Sequence, residues 1–104
     1  MVDVAISINK VPIRMTKERW SHISVGHPEI APYYDVILET IETPENVYLG
    51  NYDEYIAIKK TGDDKDKFIV VIYKETGSND GFIITSFITN KKSYFERKKL
   101  IWKQ

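Results

Sequence analysis

The stretch from Phe68 to Thr89 constrains the fold more than any other part of the chain. Phe68-Ile69-Val70-Val71-Ile72-Tyr73 is apolar or aromatic on both alternating faces, Phe68/Val70/Ile72 on one and Ile69/Val71/Tyr73 on the other. A strand of that kind is normally covered on both sides. Thr76-Gly77-Ser78-Asn79-Asp80-Gly81 then supplies the Gly, Asn and Asp of a tight reversal, and Phe82 to Thr89 returns as a second apolar run. The pattern predicts an antiparallel hairpin at the centre of a sheet, with helices packed on it.

The rest of the chain arranges itself around that hairpin. Val4–Ile8 and Val11–Met15 are short and β-branched, but Pro12 would delete a ladder hydrogen bond, so the second piece is at best an edge strand. Thr16 fits the N-cap of a helix from Lys17 to about Val25, with Trp20 and Ile23 on its buried side. Gly26 would end it in a left-handed conformation. A second helix runs to about Glu42, because Ile30, Tyr34, Ile37, Leu38 and Ile41 form one apolar stripe. Pro32 fits only its first turn, and Thr43-Pro44 stops it. Val47–Leu49 and Tyr55–Lys60 read as two further strands, joined by short loops and therefore antiparallel neighbours. Ser93-x-x-Glu96 is a capping box for a short helix from Tyr94 to about Lys99, after which Leu100–Trp102 packs back or adds an edge strand. The expected fold is α+β: a single domain over residues 1–104, with an N-terminal helix pair packed on a mainly four-stranded antiparallel sheet and a short C-terminal helix.

Composition narrows the chemistry. The 104 residues are just enough for one core without staples, and with no cysteine there is neither a disulfide framework nor a thiolate nucleophile or ligand. The longest apolar runs are strand-length, and no basic segment followed by an apolar one opens the chain. A soluble cytoplasmic protein without a membrane span is expected. Net charge is zero but unevenly spread. Residues 29–66 carry three basic and ten acidic side chains, whereas residues 90–104 carry six basic and one acidic. That tail could meet a polyanion or simply be a solvated helical face.

Candidate chemistry is sparse. His22 falls on the first helix and His27 at the junction to the second, and either imidazole could act as a general acid or base, or serve only as a cap. Their separation is wrong for a zinc-binding helix, so no metal and no cofactor is expected. Phosphate-cradling glycine loops, hydrolase elbows and dinucleotide fingerprints are all missing from the sequence. Thr85 and Ser86 interrupt an apolar strand with two hydroxyls, one of which must face the helices and needs a partner if buried.

Trp20-Ser21-His22-Ile23, Gly26-His27-Pro28-Glu29-Ile30, Ile37 to Glu45 and Gly81-Phe82-Ile83-Ile84-Thr85-Ser86-Phe87 together resemble a family of small phage and bacterial proteins. It is the phage-associated branch of the barnase–EndoU–colicin–RelE-like group of metal-independent endoribonucleases, the BECR fold. The resemblance spans roughly residues 14 to 102. It implies a helix pair on a four-stranded antiparallel sheet and RNA as the substrate. In such nucleases a base deprotonates the ribose 2′-hydroxyl, an acid protonates the leaving 5′-oxygen, and cations or hydroxyls steady the phosphorane. By the same resemblance His27 and Thr85 would be catalytic, with His22 a further candidate. The resemblance does not supply a phosphate-steadying cation; from their charge alone Lys59, Arg14 or Arg97 is expected to serve, with Ser86 also on the substrate side. Unlike the strongly basic RelE-like toxins, this chain is neutral. The alternative is a non-catalytic interaction or regulatory domain of that fold, in a phage or toxin–antitoxin setting, whose partner is an antitoxin or another protein.

Overall fold

The computed structural model describes residues 2–104. Strands β1 (Val2–Ile6) and β2 (Pro12–Thr16) come first. Helix α1 (Lys17–Gly26), a 3₁₀ turn over Pro28–Tyr33 and helix α2 (Tyr34–Glu42) follow. Then come β3 (Asn46–Leu49), β4 (Tyr55–Lys60), β5 (Phe68–Glu75) and β6 (Gly81–Thr89), a second 3₁₀ segment over Lys92–Arg97, and β7 (Lys99–Lys103). All seven strands join one sheet in the order β1-β2-β6-β5-β4-β3-β7. Every neighbouring pair is antiparallel except β2 and β6.

The expected helix pair on a four-stranded antiparallel sheet is therefore incorrect: strands open the chain, the sheet has seven strands, and it is mixed. The error lies in the first sixteen residues and the last six. Pro12 does not demote its strand, because β6 enters the ladder only opposite Ile13 and the missing N–H removes no bond there. At this seam Ile13 lies opposite Gly81, where a Cβ would sit 2.6 Å from the Lys74 carbonyl oxygen, so glycine is required for the close approach. Arg14 closes the same seam with two hydrogen bonds to Asp80, at 2.7 and 3.0 Å.

Helix ends also depart from expectation. Thr16 accepts from the Arg19 N–H at 3.0 Å, the N-cap that its sequence position suggests. Gly26 is not left-handed, since the only glycine with positive φ among the described residues is Gly62; the His27 N–H closes α1 onto the Ile23 carbonyl instead. Pro32 lies inside the 3₁₀ turn rather than at the start of α2. The C-terminal segment is likewise 3₁₀ and not α, because Ser93 lies within it and Lys91 occupies the cap without a side-chain bond.

Both faces of the sheet are covered, unequally. The inner face carries Ile69, Val71, Tyr73 and Ile83, against which α2 seats Ile37 and Ile41 and the 3₁₀ turn seats Ile30. The outer face carries Ile56, Ile58, Val70 and Phe87, and the second 3₁₀ segment seats Phe95 over it. One bulge sets which β6 residues go where. Ile72 pairs with Thr85 and Tyr73 with Ile83, so Ile84 is an extra residue. The phase changes there, leaving Ile83 and Ser86 inward and Thr85 and Phe87 outward.

Tyr73 is wholly buried and stacks on Tyr55 with ring centroids 5.4 Å apart. Its hydroxyl has no hydrogen-bond partner among the described residues, and burial followed by the nearby Glu75 charge raises its pKa. An unsatisfied buried hydroxyl destabilises a fold by about 1–3 kcal/mol. Tyr73→Phe is thus expected to leave stability unchanged or raise it by up to about that amount. A denaturant titration showing a clear loss would mean that the hydroxyl is hydrogen-bonded in solution.

Candidate functional site

The chemistry-bearing part of the chain lies along the free edge of β6. Strand β2 pairs with β6 only at Gly81 and Phe82, so Ile84 to Thr89 have no strand neighbour on that side. Helix α1 and the first 3₁₀ turn lie along this edge, and Arg19 donates to the Ile84 carbonyl at 3.3 Å. A side chain from the helix layer can therefore reach around the edge to the outer face. His27 does this.

The His27 backbone is fixed at both ends: its N–H donates to the Ile23 carbonyl at 2.8 Å, and its carbonyl accepts from Ile30 at 3.0 Å. Its side chain takes no part in capping. The imidazole lies over Phe87, centroids 5.7 Å apart with a 36° tilt. Nδ1 is 3.6 Å from Glu29 Oε2, and both side chains are nearly half exposed, at 42% and 48%. Thr85 precedes Phe87 by two residues on the same outward face, about 7 Å along the strand. His27 and Thr85 thus border one surface strip.

Aromatic and basic side chains continue that strip. Phe95 lies 6.3 Å from Phe87, and Tyr94, which is 69% exposed, meets Phe95 edge-on at 5.0 Å. Lys92 Nζ stands 5.4 Å above the Phe68 ring. A hollow of about 480 Å³ adjoins on the helix side, lined in part by Glu29, Tyr33, Lys67 and Thr89.

The remaining nominated residues are scattered. Ser86 points inward, is fully buried, and donates to the Val70 carbonyl at 2.8 Å, so no solute can reach it. Arg14 is at the opposite end of β6, where its guanidinium holds the Asp80 carboxyl below the usual carboxylate range. Lys59 donates to Thr43 at 2.9 Å and lies 3.4 Å from Glu39, tied to the end of α2. Neither cation is free to steady a phosphate at His27. Arg97 is exposed within the segment that carries Phe95, and His22 is exposed on α1. Sequence reasoning missed Phe87 and Lys67, whereas Lys92 belongs to the basic tail that it did single out. Only Phe87 carried a signal, as the aromatic of a Thr-Ser-Phe step, and its outward direction depends on the Ile84 bulge.

No protein-family model matches the chain, and neither the curated proteins nor the solved structures yield a match. Among the described residues no group of three or more metal-ligating side chains is placed to hold an ion, and no helix is long and apolar enough to cross a membrane.

Proposed function

We propose that the outer strip along β6 binds single-stranded RNA and that His27 cleaves it without a metal. The carrying observation is the imidazole itself: half exposed, stacked on Phe87, flanked by Glu29, and on the strip that Thr85 borders. Exposed aromatics interleaved with cations suit unpaired bases, each stacking contact being worth about 1–3 kcal/mol. Exposed Tyr94 and half-buried Phe87 provide the rings, resting on buried Phe95, and Lys92 and Arg97 of the same 3₁₀ segment provide charge.

Glu29 beside Nδ1 favours a proton on that nitrogen and leaves Nε2 as the base. Nε2 removes the 2′-hydroxyl proton, the 2′-oxygen attacks the adjacent phosphorus, and the bond to the 5′-oxygen breaks. The imidazolium returns its proton to that oxygen, giving a 2′,3′-cyclic phosphate and a free 5′-hydroxyl. Thr85 O–H donates to a phosphoryl oxygen. A cytoplasmic location belongs to the same proposal.

Purified protein incubated with single-stranded RNA and a chelator is expected to yield cyclic-phosphate ends. Intact RNA at high protein concentration would remove the catalytic reading. The second reading, a non-catalytic module that docks a protein or RNA, is favoured by the shallowness of the strip, where the nearest hollow lies to one side and two of three nominated cations are engaged elsewhere. RNA binding without cleavage would establish that alternative.

A further inference from the structure

The two edges of the sheet are built differently. At one edge β7 carries Lys99 and Lys103, both exposed, and a register shift against β3 between Val47 and Tyr48. Charged side chains and bulges are the usual devices against edge-to-edge pairing. At the other edge β1 has neither. Its outward row is Val2, Val4 and Ile6, exposed at 50%, 49% and 43%. Its single charge, Asp3, is turned to the helix layer and accepts the Tyr34 hydroxyl.

The backbone of β1 is also available. The Ile6 N–H is directed away from β2, meeting only the Glu42 carboxylate at 3.4 Å. By the alternation of an antiparallel ladder, the N–H and C=O groups of Val4 and Val2 point the same way. We infer that β1 pairs with β1 of a second copy of this chain, antiparallel about a two-fold axis through Val4. Val4 then faces Val4 of the partner, and Val2 faces Ile6 of the partner. Each of the three residues exchanges ladder hydrogen bonds, and the exposed apolar rows become cross-strand neighbours.

Charge selects a second copy as the occupant. Lys17 follows Thr16, which lies opposite Val2 at one end of β1, whereas Glu42 lies beside Ile6 at the other end. Both are on the helix side, and neither makes an ion pair within the chain among the described residues. A two-fold axis perpendicular to the sheet keeps helix side on helix side and brings Lys17 of each chain to Glu42 of the other. Two complementary pairs result from one operation. Although β7 also exposes Leu100 and Ile101, its lysines and register shift disfavour the head-to-tail alternative, so the contact closes as a dimer rather than a filament.

Sedimentation velocity over a concentration series tests this. The wild type is expected to sediment as a dimer in the micromolar range. Val4→Lys sets two like charges opposite each other and is expected to weaken dimerisation at least tenfold while the circular-dichroism spectrum stays folded. Lys17→Glu and Glu42→Lys should each weaken it, and the double variant should restore it. That swap decides the matter even if Val4→Lys fails to fold. A wild type that stays monomeric to millimolar concentration, or a dimer indifferent to both the Val4 change and the swap, overturns the inference.

Discussion

Ile37→Asp is expected to abolish the cooperative thermal transition. Ile37 is 0% exposed at the middle of α2, where its face meets Val71 and Tyr73 of the sheet's inner layer. The apolar stripe that α2 continues from the preceding turn is embedded along its length: Ile30, Ile37 and Ile41 are wholly buried and Tyr34 and Leu38 partly so. A carboxylate there has no partner and must either stay charged without water or take up a proton. Either route costs several kcal/mol beyond the lost apolar burial, against a total stability of about 5–15 kcal/mol for a domain of this size. Circular dichroism across a temperature ramp should show a sloping, uncooperative trace. Asp35→Ala, on the exposed side of the same helix, should melt like the wild type. A sharp melt retained by Ile37→Asp would place α2 outside the core.

His27→Ala is expected to reduce RNA cleavage by about 10²–10⁴-fold, the usual worth of a positioned general acid or base. Its effect on the fold should be small. The residue closes α1 through its backbone alone, and alanine keeps both of those hydrogen bonds. What the fold loses is the ring contact with Phe87, worth about 0.5–1.5 kcal/mol. Cleavage and melting temperature measured on one preparation separate the two roles. Ser86→Ala provides the contrast: it removes a buried bond to the Val70 carbonyl, so stability should fall by about 1 kcal/mol while cleavage stays unchanged. Equal cleavage by His27→Ala and wild type would remove the imidazole from the mechanism.

Local patterns in the sequence were informative wherever burial is two-sided or strictly periodic. The central strand β5 and the α2 stripe are of this kind, because apolar residues on both faces, or at helical spacing, leave few alternatives. The meander β3 to β6 follows from short connections between consecutive strands. Nothing local marks the pairing of β2 with β6, since the two lie far apart in the chain and only their packing brings them together. Nor does anything in Leu100-Ile101-Trp102 say that it borders β3 rather than closing over a helix.

The site was legible in part for the same reason. His27 stood out by its place between two helices, and Thr85 as a hydroxyl in an apolar strand. Which way Thr85 and Ser86 point is decided by the extra residue Ile84, which no periodicity announces. Arg14 and Lys59 were reasonable cations until Asp80 and Glu39 appeared beside them, both distant in sequence.

The parallel seam between β2 and β6 bears on how the chain is made. Synthesis delivers β1 just before β2, yet β6, which flanks β2 on its other side, emerges only after both helices and strands β3 to β5. Growing at about 5–20 residues per second, the nascent chain holds an apolar hairpin without its neighbour for several seconds. Only when Gly81 and Phe82 clear the ribosome can Ile13 be covered on that side. The sheet therefore closes only once β6 is available, and a chaperone could occupy the place of β6 in the interval.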